Sequence, residues 1–119
     1  MPQPRPALAL RGPAVALGWT FVAAIVWLSV TPSPPTIDIE QGDKLGHSLA
    51  YAGTMFWFAL LYSRNATRAA YAAGLIAMGV ALEFVQRALA YRDFELLDML
   101  ADAAGVLLGW AAALFVHLR

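Results

Sequence analysis

The chain has 119 residues, of which 61% are hydrophobic and only 13% are charged, and its mean hydropathy is +0.62. The core of one small soluble domain cannot bury this much apolar surface, so the composition predicts an integral membrane protein. Eight basic and eight acidic residues cancel, which gives no electrostatic reason to expect a nucleic-acid partner. The absence of cysteine excludes disulfides, thiolate metal sites and cysteine nucleophiles.

Four apolar segments follow one another along the chain, at about residues 13–30, 45–62, 69–90 and 96–118. At ~1.5 Å of rise per residue the first segment spans about 27 Å as a helix, close to the thickness of the hydrocarbon layer. No internal repeat or linker divides the chain. We therefore predict an all-α polytopic membrane protein whose residues 1–119 form a single domain, a four-transmembrane-helix bundle.

The first apolar segment has a second interpretation. Arg5 and Arg11 precede it, as basic residues precede the apolar part of a secretory signal peptide. The segment is long for that purpose, and its Pro-rich end, from Pro32 to Pro35, offers no clean small-residue cleavage site. A membrane-spanning helix is therefore the preferred interpretation.

The positions of lysine and arginine predict the orientation in the membrane, because these residues are retained on the cytoplasmic side. Arg5 and Arg11 precede helix 1, Arg64 and Arg68 lie between helices 2 and 3, and Arg119 follows helix 4. The connections on the other side are acidic on balance. We predict a multi-pass protein of the cytoplasmic (inner) membrane with both termini in the cytoplasm.

Polar residues lie one helical turn apart near the outer end of three predicted helices, which places them on one face of each helix. An ionisable residue at the centre of a span costs about 2.5–3.5 kcal/mol, so three helices that each carry one need a shared reason. We predict a single polar pocket that opens to the outside and binds a ligand. Its residues are Asp43, Lys44, His47, Tyr51, Glu83, Gln86, Arg92, Asp98 and Asp102.

Gly105 and Gly109 form a small-xxx-small pattern on helix 4. This pattern lets two transmembrane backbones approach closely, so we predict that both glycines serve helix packing.

The same polar residues allow other functions. In an enzyme, His47 or Glu83 would act as general acid or base. No cofactor is predicted, because no dense metal motif is present, although a divalent metal on Asp43, His47, Asp98 or Asp102 remains an alternative. Buried acidic and histidine residues also serve as relays in proton-linked transporters, and an ion-pair network that only holds helices together would use the same residues.

The order and spacing of these residues resemble the VanZ-like family of small integral membrane proteins. The resemblance rests on Asp43-Lys44-x-x-His47-x-x-x-Tyr51, Glu83-x-x-Gln86 and Arg92-x-Phe94-x-x-x-Asp98-x-x-x-Asp102-x-x-Gly105-x-x-x-Gly109. Two positions depart from the family pattern: Asp102 replaces a frequent Asn, and Tyr91 replaces a frequent Gly.

The founding member of that family is associated with low-level resistance to the glycopeptide antibiotic teicoplanin. The resemblance therefore implies a cell-envelope protein that influences glycopeptide antibiotic susceptibility. Together with the predicted pocket it suggests membrane lipid and a lipid-linked envelope precursor as partners, and homo-oligomers are compatible with so small a bundle.

Overall fold

The computed structural model of the protein describes residues 6–31, 42–89 and 96–117, and gives side chains for 11–31, 45–89 and 96–116. These parts of the chain are helical apart from short turns, which confirms the predicted all-α class. The four helices are α1 (Pro6–Val30), α2 (Gly42–Leu61), α3 (Asn65–Ala88) and α4 (Leu96–His117).

Three of the four helices are long and apolar enough to cross a membrane. The three candidate spans are Arg11–Val30, Asn65–Ala88 and Leu96–Val116, and α2 carries a shorter apolar segment, Leu45–Leu61. Large apolar side chains point outwards, among them Trp27, Leu108 and Phe115, which are 63%, 64% and 71% exposed. Outward-facing apolar surface on this scale indicates a membrane protein.

The helix boundaries differ from the predicted ones at several ends. The first helix begins at Pro6 rather than at residue 13, and Pro13 lies inside it. Pro6 is well suited to the first position of the helix, because the N–H that proline lacks would have no partner there. Arg11 also donates a hydrogen bond of 2.9 Å to the main-chain oxygen of Leu61, which fixes this early turn of α1 against the end of α2.

The third helix begins at Asn65 instead of residue 69, so the predicted polar turn is shorter than expected. Its fourth residue, Arg68, is only 4% exposed and is not a solvated loop residue. The Arg68 guanidinium donates to the main-chain oxygens of Ala59 (2.8 and 3.0 Å) and Tyr62 (2.7 Å). These carbonyls lie at the end of α2, where a helix leaves acceptors unsatisfied, and this capping stabilises the first turn of α3.

The remaining boundaries shift by a few residues. The second helix starts at Gly42 and ends at Leu61, the third ends at Ala88, and the fourth ends at His117 within the described part of the chain. Such shifts are expected because the last turn of a helix depends on its local capping partners.

Contacts between the helices give their relative directions. Gly105 and Gly109 of α4 lie against Ser48 and Ala52 of α2, so residue numbers rise together and the two helices are parallel. The Trp57 indole N–H donates a hydrogen bond of 2.8 Å to the main-chain oxygen of Ala14 in α1. Arg11, earlier in α1, contacts the later end of α2, so α1 and α2 are antiparallel.

The direction of α3 follows from its contacts with α1. Trp19 of α1 contacts Tyr71 of α3, and Ser29 contacts Gln86 further along both helices. Helices α1 and α3 are therefore parallel to each other, and antiparallel to α2 and α4. Successive helices alternate in direction, as in an up-down-up-down bundle.

The most extensive helix contact is between α2 and α4, and two glycines make it possible. A Cβ atom added at Gly105 would collide with the main-chain oxygen of Ser48, and one added at Gly109 would collide with that of Ala52. In both cases the obstacle is backbone, which cannot rotate away as a side chain can. Gly105 and Gly109 therefore bring the two backbones into direct contact, as the small-xxx-small pattern predicts.

We expect the Gly105→Ala variant to lower the free energy of unfolding by about 1–3 kcal/mol, because the new methyl group forces α4 away from α2. Unfolding of the purified protein in a detergent or bicelle series would measure the change. Gly53→Ala is the matched control, since a Cβ at Gly53 meets no atom within 4 Å. Equal stability of the two variants would contradict the proposed role of Gly105.

Candidate functional site

Six of the predicted site residues have described side chains, and all six lie in the half of the bundle where α2 and α4 begin. We call this set the polar cluster: His47, Tyr51, Glu83, Gln86, Asp98 and Asp102. All except His47 are buried, with relative exposures between 0% for Asp98 and 5% for Asp102. The side chain of His47 is 28% exposed, which makes it the most accessible member.

Asp102 lies at the junction of three helices. Its carboxylate oxygen Oδ1 is 3.8 Å from Nδ1 of His47 on α2, close enough for an ion pair when the imidazole is protonated. The hydroxyl of Tyr51, one turn further along α2, is within electrostatic range of the same carboxylate. On α3, a Cβ added at Gly79 would lie 2.8 Å from Asp102 Oδ2, so Gly79 leaves the space that this carboxylate occupies.

Glu83 and Asp98 occupy the next level of the same end. Glu83 follows Gly79 by one turn on α3, and Asp98 precedes Asp102 by one turn on α4. Because the two helices are antiparallel, these equal steps run in the same direction along the bundle. The polar cluster therefore has two layers of carboxyl groups, one at Asp102 and one at Glu83 and Asp98.

Gln86 links the polar cluster to α1. Its side-chain amide donates a hydrogen bond of 2.7 Å to the main-chain oxygen of Ser29. Ser29 lies in the last turn of α1, where carbonyl groups have no partner within the helix. Gln86 therefore caps the end of α1 and fixes the position of α3 against it.

Three predicted site residues cannot be placed with the others. The side chains of Asp43 and Lys44 lie outside the described residues, although both positions belong to α2. Arg92 lies entirely outside them. Their membership of the site stays a prediction.

Two contributors were absent from the predicted site. The main-chain oxygen of Ser29 carries no side-chain signal, and Gly79 looks like any packing glycine of an apolar helix. A helix end leaves carbonyl groups that have no partner within the helix. The sequence signal for the Ser29 carbonyl was therefore the amide side chain of Gln86, which can donate to such a group. Gly79 has no comparable signal, because its role depends on the position of Asp102.

The chemistry of the described cluster is that of a hydrogen-bonding and proton-holding site. Three carboxyl groups, one amide, one phenol and one imidazole can accept hydrogen bonds from hydroxyl and amino groups. Among the side chains described, those of residues 11–31, 45–89 and 96–116, no group of three or more acidic or histidine side chains is arranged to hold a metal ion. The cluster as described therefore presents several hydrogen-bond acceptors to a ligand.

A double-mutant cycle would measure the interaction of His47 with Asp102. We expect the His47→Ala and Asp102→Ala changes to be non-additive by about 0.5–1 kcal/mol, the size of polar contacts between membrane helices. The control cycle pairs His47→Ala with Thr67→Ala near the opposite end, where additivity within about 0.5 kcal/mol is expected. Additivity in both cycles would show that the contact of 3.8 Å contributes no coupling.

Comparisons with known proteins identified no relative of this chain. No protein-family model, no curated protein and no solved structure matches the chain. The resemblance to the VanZ-like family, carried by residues 43–109, therefore stays a prediction from the sequence. The fold and the polar cluster stand on the contacts of the chain itself.

Proposed function

We propose that the protein is a VanZ-like membrane protein of the cell envelope, which binds an amphiphilic or lipid-linked envelope ligand through the polar cluster. The observation that carries this proposal is the burial of five polar side chains from three helices at one end of the bundle. Placing polar groups among apolar helices has an energetic cost, so their convergence at one end needs a reason. A ligand that forms hydrogen bonds with several of them would supply that reason.

The most exposed member of the polar cluster indicates where the ligand would approach. His47 is the only cluster residue with a substantially accessible side chain, and Asp102 lies directly behind it. A hydroxyl or amino group that binds at His47 would therefore meet an imidazole supported by a carboxylate. Sugar and peptide groups of envelope precursors supply such donors, and their lipid tails would remain in the membrane.

The proposal places all four helices across the cytoplasmic membrane, with the polar cluster on the outer side. Supporting this, α1 begins and α4 ends at the same end of the bundle as Arg11, Arg64 and Arg68. Arginine-rich ends are retained in the cytoplasm. The opposite end, with its three buried carboxyl groups, then faces outwards.

Single-cysteine labelling would test this topology, and the chain has no native cysteine to remove. We expect a membrane-impermeant maleimide to label Asp93→Cys in intact cells, and Ser63→Cys only after permeabilisation. Ser63 is exposed at the arginine-bearing end, which makes it a suitable reporter. Labelling of both positions in intact cells would contradict four alternating spans.

Ligand binding is tested by comparing a buried and an exposed polar residue on one helix. In native mass spectrometry we expect the wild-type protein to bind a lipid-linked envelope precursor, and the Glu83→Gln variant to bind it about tenfold more weakly, as loss of one charge-assisted hydrogen bond would cause. Asn65→Ala is the control, because it removes an exposed polar group at the opposite end of the same helix.

The same variants can also be tested in cells. A deletion strain should change its susceptibility to teicoplanin, and the wild-type and Asn65→Ala genes should restore it while Glu83→Gln should not. If no form of the protein binds the lipid-linked precursor, or if Glu83→Gln behaves like wild type in both assays, the polar cluster is only a structural network.

A further inference from the structure

The end of the bundle opposite the polar cluster contains a cavity of about 210 Å³. We call it the arginine pocket, and it is lined by Arg11, Leu61, Tyr62, Ser63, Arg64 and Thr67. The residues come from α1, from the end of α2, from the turn that follows it and from the first turn of α3. Among these lining residues two are cationic and none is acidic, so the arginine pocket favours an anion.

Arg11 is held in place by its neighbours. Its guanidinium carbon lies 4.7 Å from the centre of the Tyr62 ring, and its Nη1 donates to the main-chain oxygen of Leu61. A guanidinium has five N–H groups, so several donors remain for a ligand. Its planar fork is suited to the oxygens of a phosphate group.

The start of α3 adds further donors to the arginine pocket. Arg64 occupies the N-cap position with extended backbone (φ −75°, ψ 129°), and its side chain makes no capping hydrogen bond. The first N–H groups of a helix are therefore left for a partner other than this side chain, and they carry partial positive charge. Ser63 and Thr67, which carry hydroxyl groups, also line the arginine pocket.

An apolar groove adjoins the arginine pocket. The groove has a volume of about 310 Å³ between α1 and α3, and its lining includes Trp19, Val22, Tyr71, Gly74, Leu75 and Met78. Tyr71 connects the two spaces: it lines the groove and stacks on Tyr62 of the pocket, with ring centres 5.2 Å apart. A Cβ added at Gly74 would meet no atom within 4 Å, so the groove has free space at this position.

We propose that this end of the protein binds one membrane phospholipid, with its phosphate group in the arginine pocket and one acyl chain in the apolar groove. The arrangement matches an amphiphile: cationic side chains and helix donors lie next to an apolar groove between α1 and α3, two helices that are long and apolar enough to cross a membrane. This lipid site is separate from the polar cluster. The proposal requires that the protein lies in a membrane, and it does not require that the polar cluster binds a ligand.

The experiment measures retained lipid by native mass spectrometry, with detergent-purified protein titrated with dioleoyl phosphatidylglycerol. We expect Arg11→Gln/Arg64→Gln and Gly74→Leu each to weaken binding at least about tenfold, through loss of phosphate contacts and through filling of the groove respectively. Arg87→Gln and Gly53→Leu are the matched controls, since both positions are exposed and a Cβ at Gly53 meets no atom within 4 Å. Both should bind like wild type.

Two further probes separate the parts of the ligand. Dioleoylglycerol, which has chains but no phosphate, and inorganic phosphate alone should each bind more weakly than the phospholipid. The single Arg64→Gln variant keeps the test valid if the double variant does not fold, because Arg64 is exposed and its side chain makes no capping hydrogen bond. This single variant should lose part of the phospholipid affinity.

Equal binding by all variants would overturn the proposal, and so would dioleoylglycerol that binds as tightly as the phospholipid. Binding of inorganic phosphate with no effect of Gly74→Leu would show a free-phosphate site instead of a lipid site. Glu83→Gln should leave phosphatidylglycerol binding unchanged, which separates failure here from failure of the function proposed for the polar cluster.

Discussion

The direct contact of α4 with the backbone of α2 at Gly105 and Gly109 is the constraint on which the other helix positions depend. Because the obstacle at each glycine is a carbonyl oxygen of the neighbouring helix, only hydrogen fits there. This contact brings Asp102, one turn before Gly105, beside His47 on α2. Gly79 then lets α3 approach the same carboxylate. Three glycines therefore determine how close the polar groups of three helices come.

A second requirement acts at the ends of the helices. A helix end leaves carbonyl groups without partners, and in a membrane little water is present to satisfy them. In this protein side chains from neighbouring helices donate hydrogen bonds to these carbonyl groups. Gln86 donates to the main-chain oxygen of Ser29 in α1, and Arg11 and Arg68 donate to main-chain oxygens at the end of α2. These bonds join different helices as well as cap them. Capping and tertiary packing are therefore the same interactions.

The alternating direction of the helices gives the two ends of the bundle different chemistry. One end collects the carboxyl, amide and imidazole groups of the polar cluster, and the other collects Arg11, Arg64 and Arg68 around an aromatic stack. The first end therefore presents mainly hydrogen-bond acceptors, and the second presents cationic donors. These are the two ends at which we propose separate sites for amphiphilic ligands.

The sequence by itself determined the four helices and the faces on which polar residues lie, because hydrophobic length and the spacing of one helical turn are local properties. It also placed Gly105 and Gly109 on a single stripe of α4. Only the tertiary structure decided which groups meet. Arg68 looks like a loop arginine in the sequence, yet it is buried because the last carbonyls of α2 lie within its reach. The partners of Gln86 and Gly79 likewise depend on which helix lies alongside, and that choice is made by packing between segments distant in the chain.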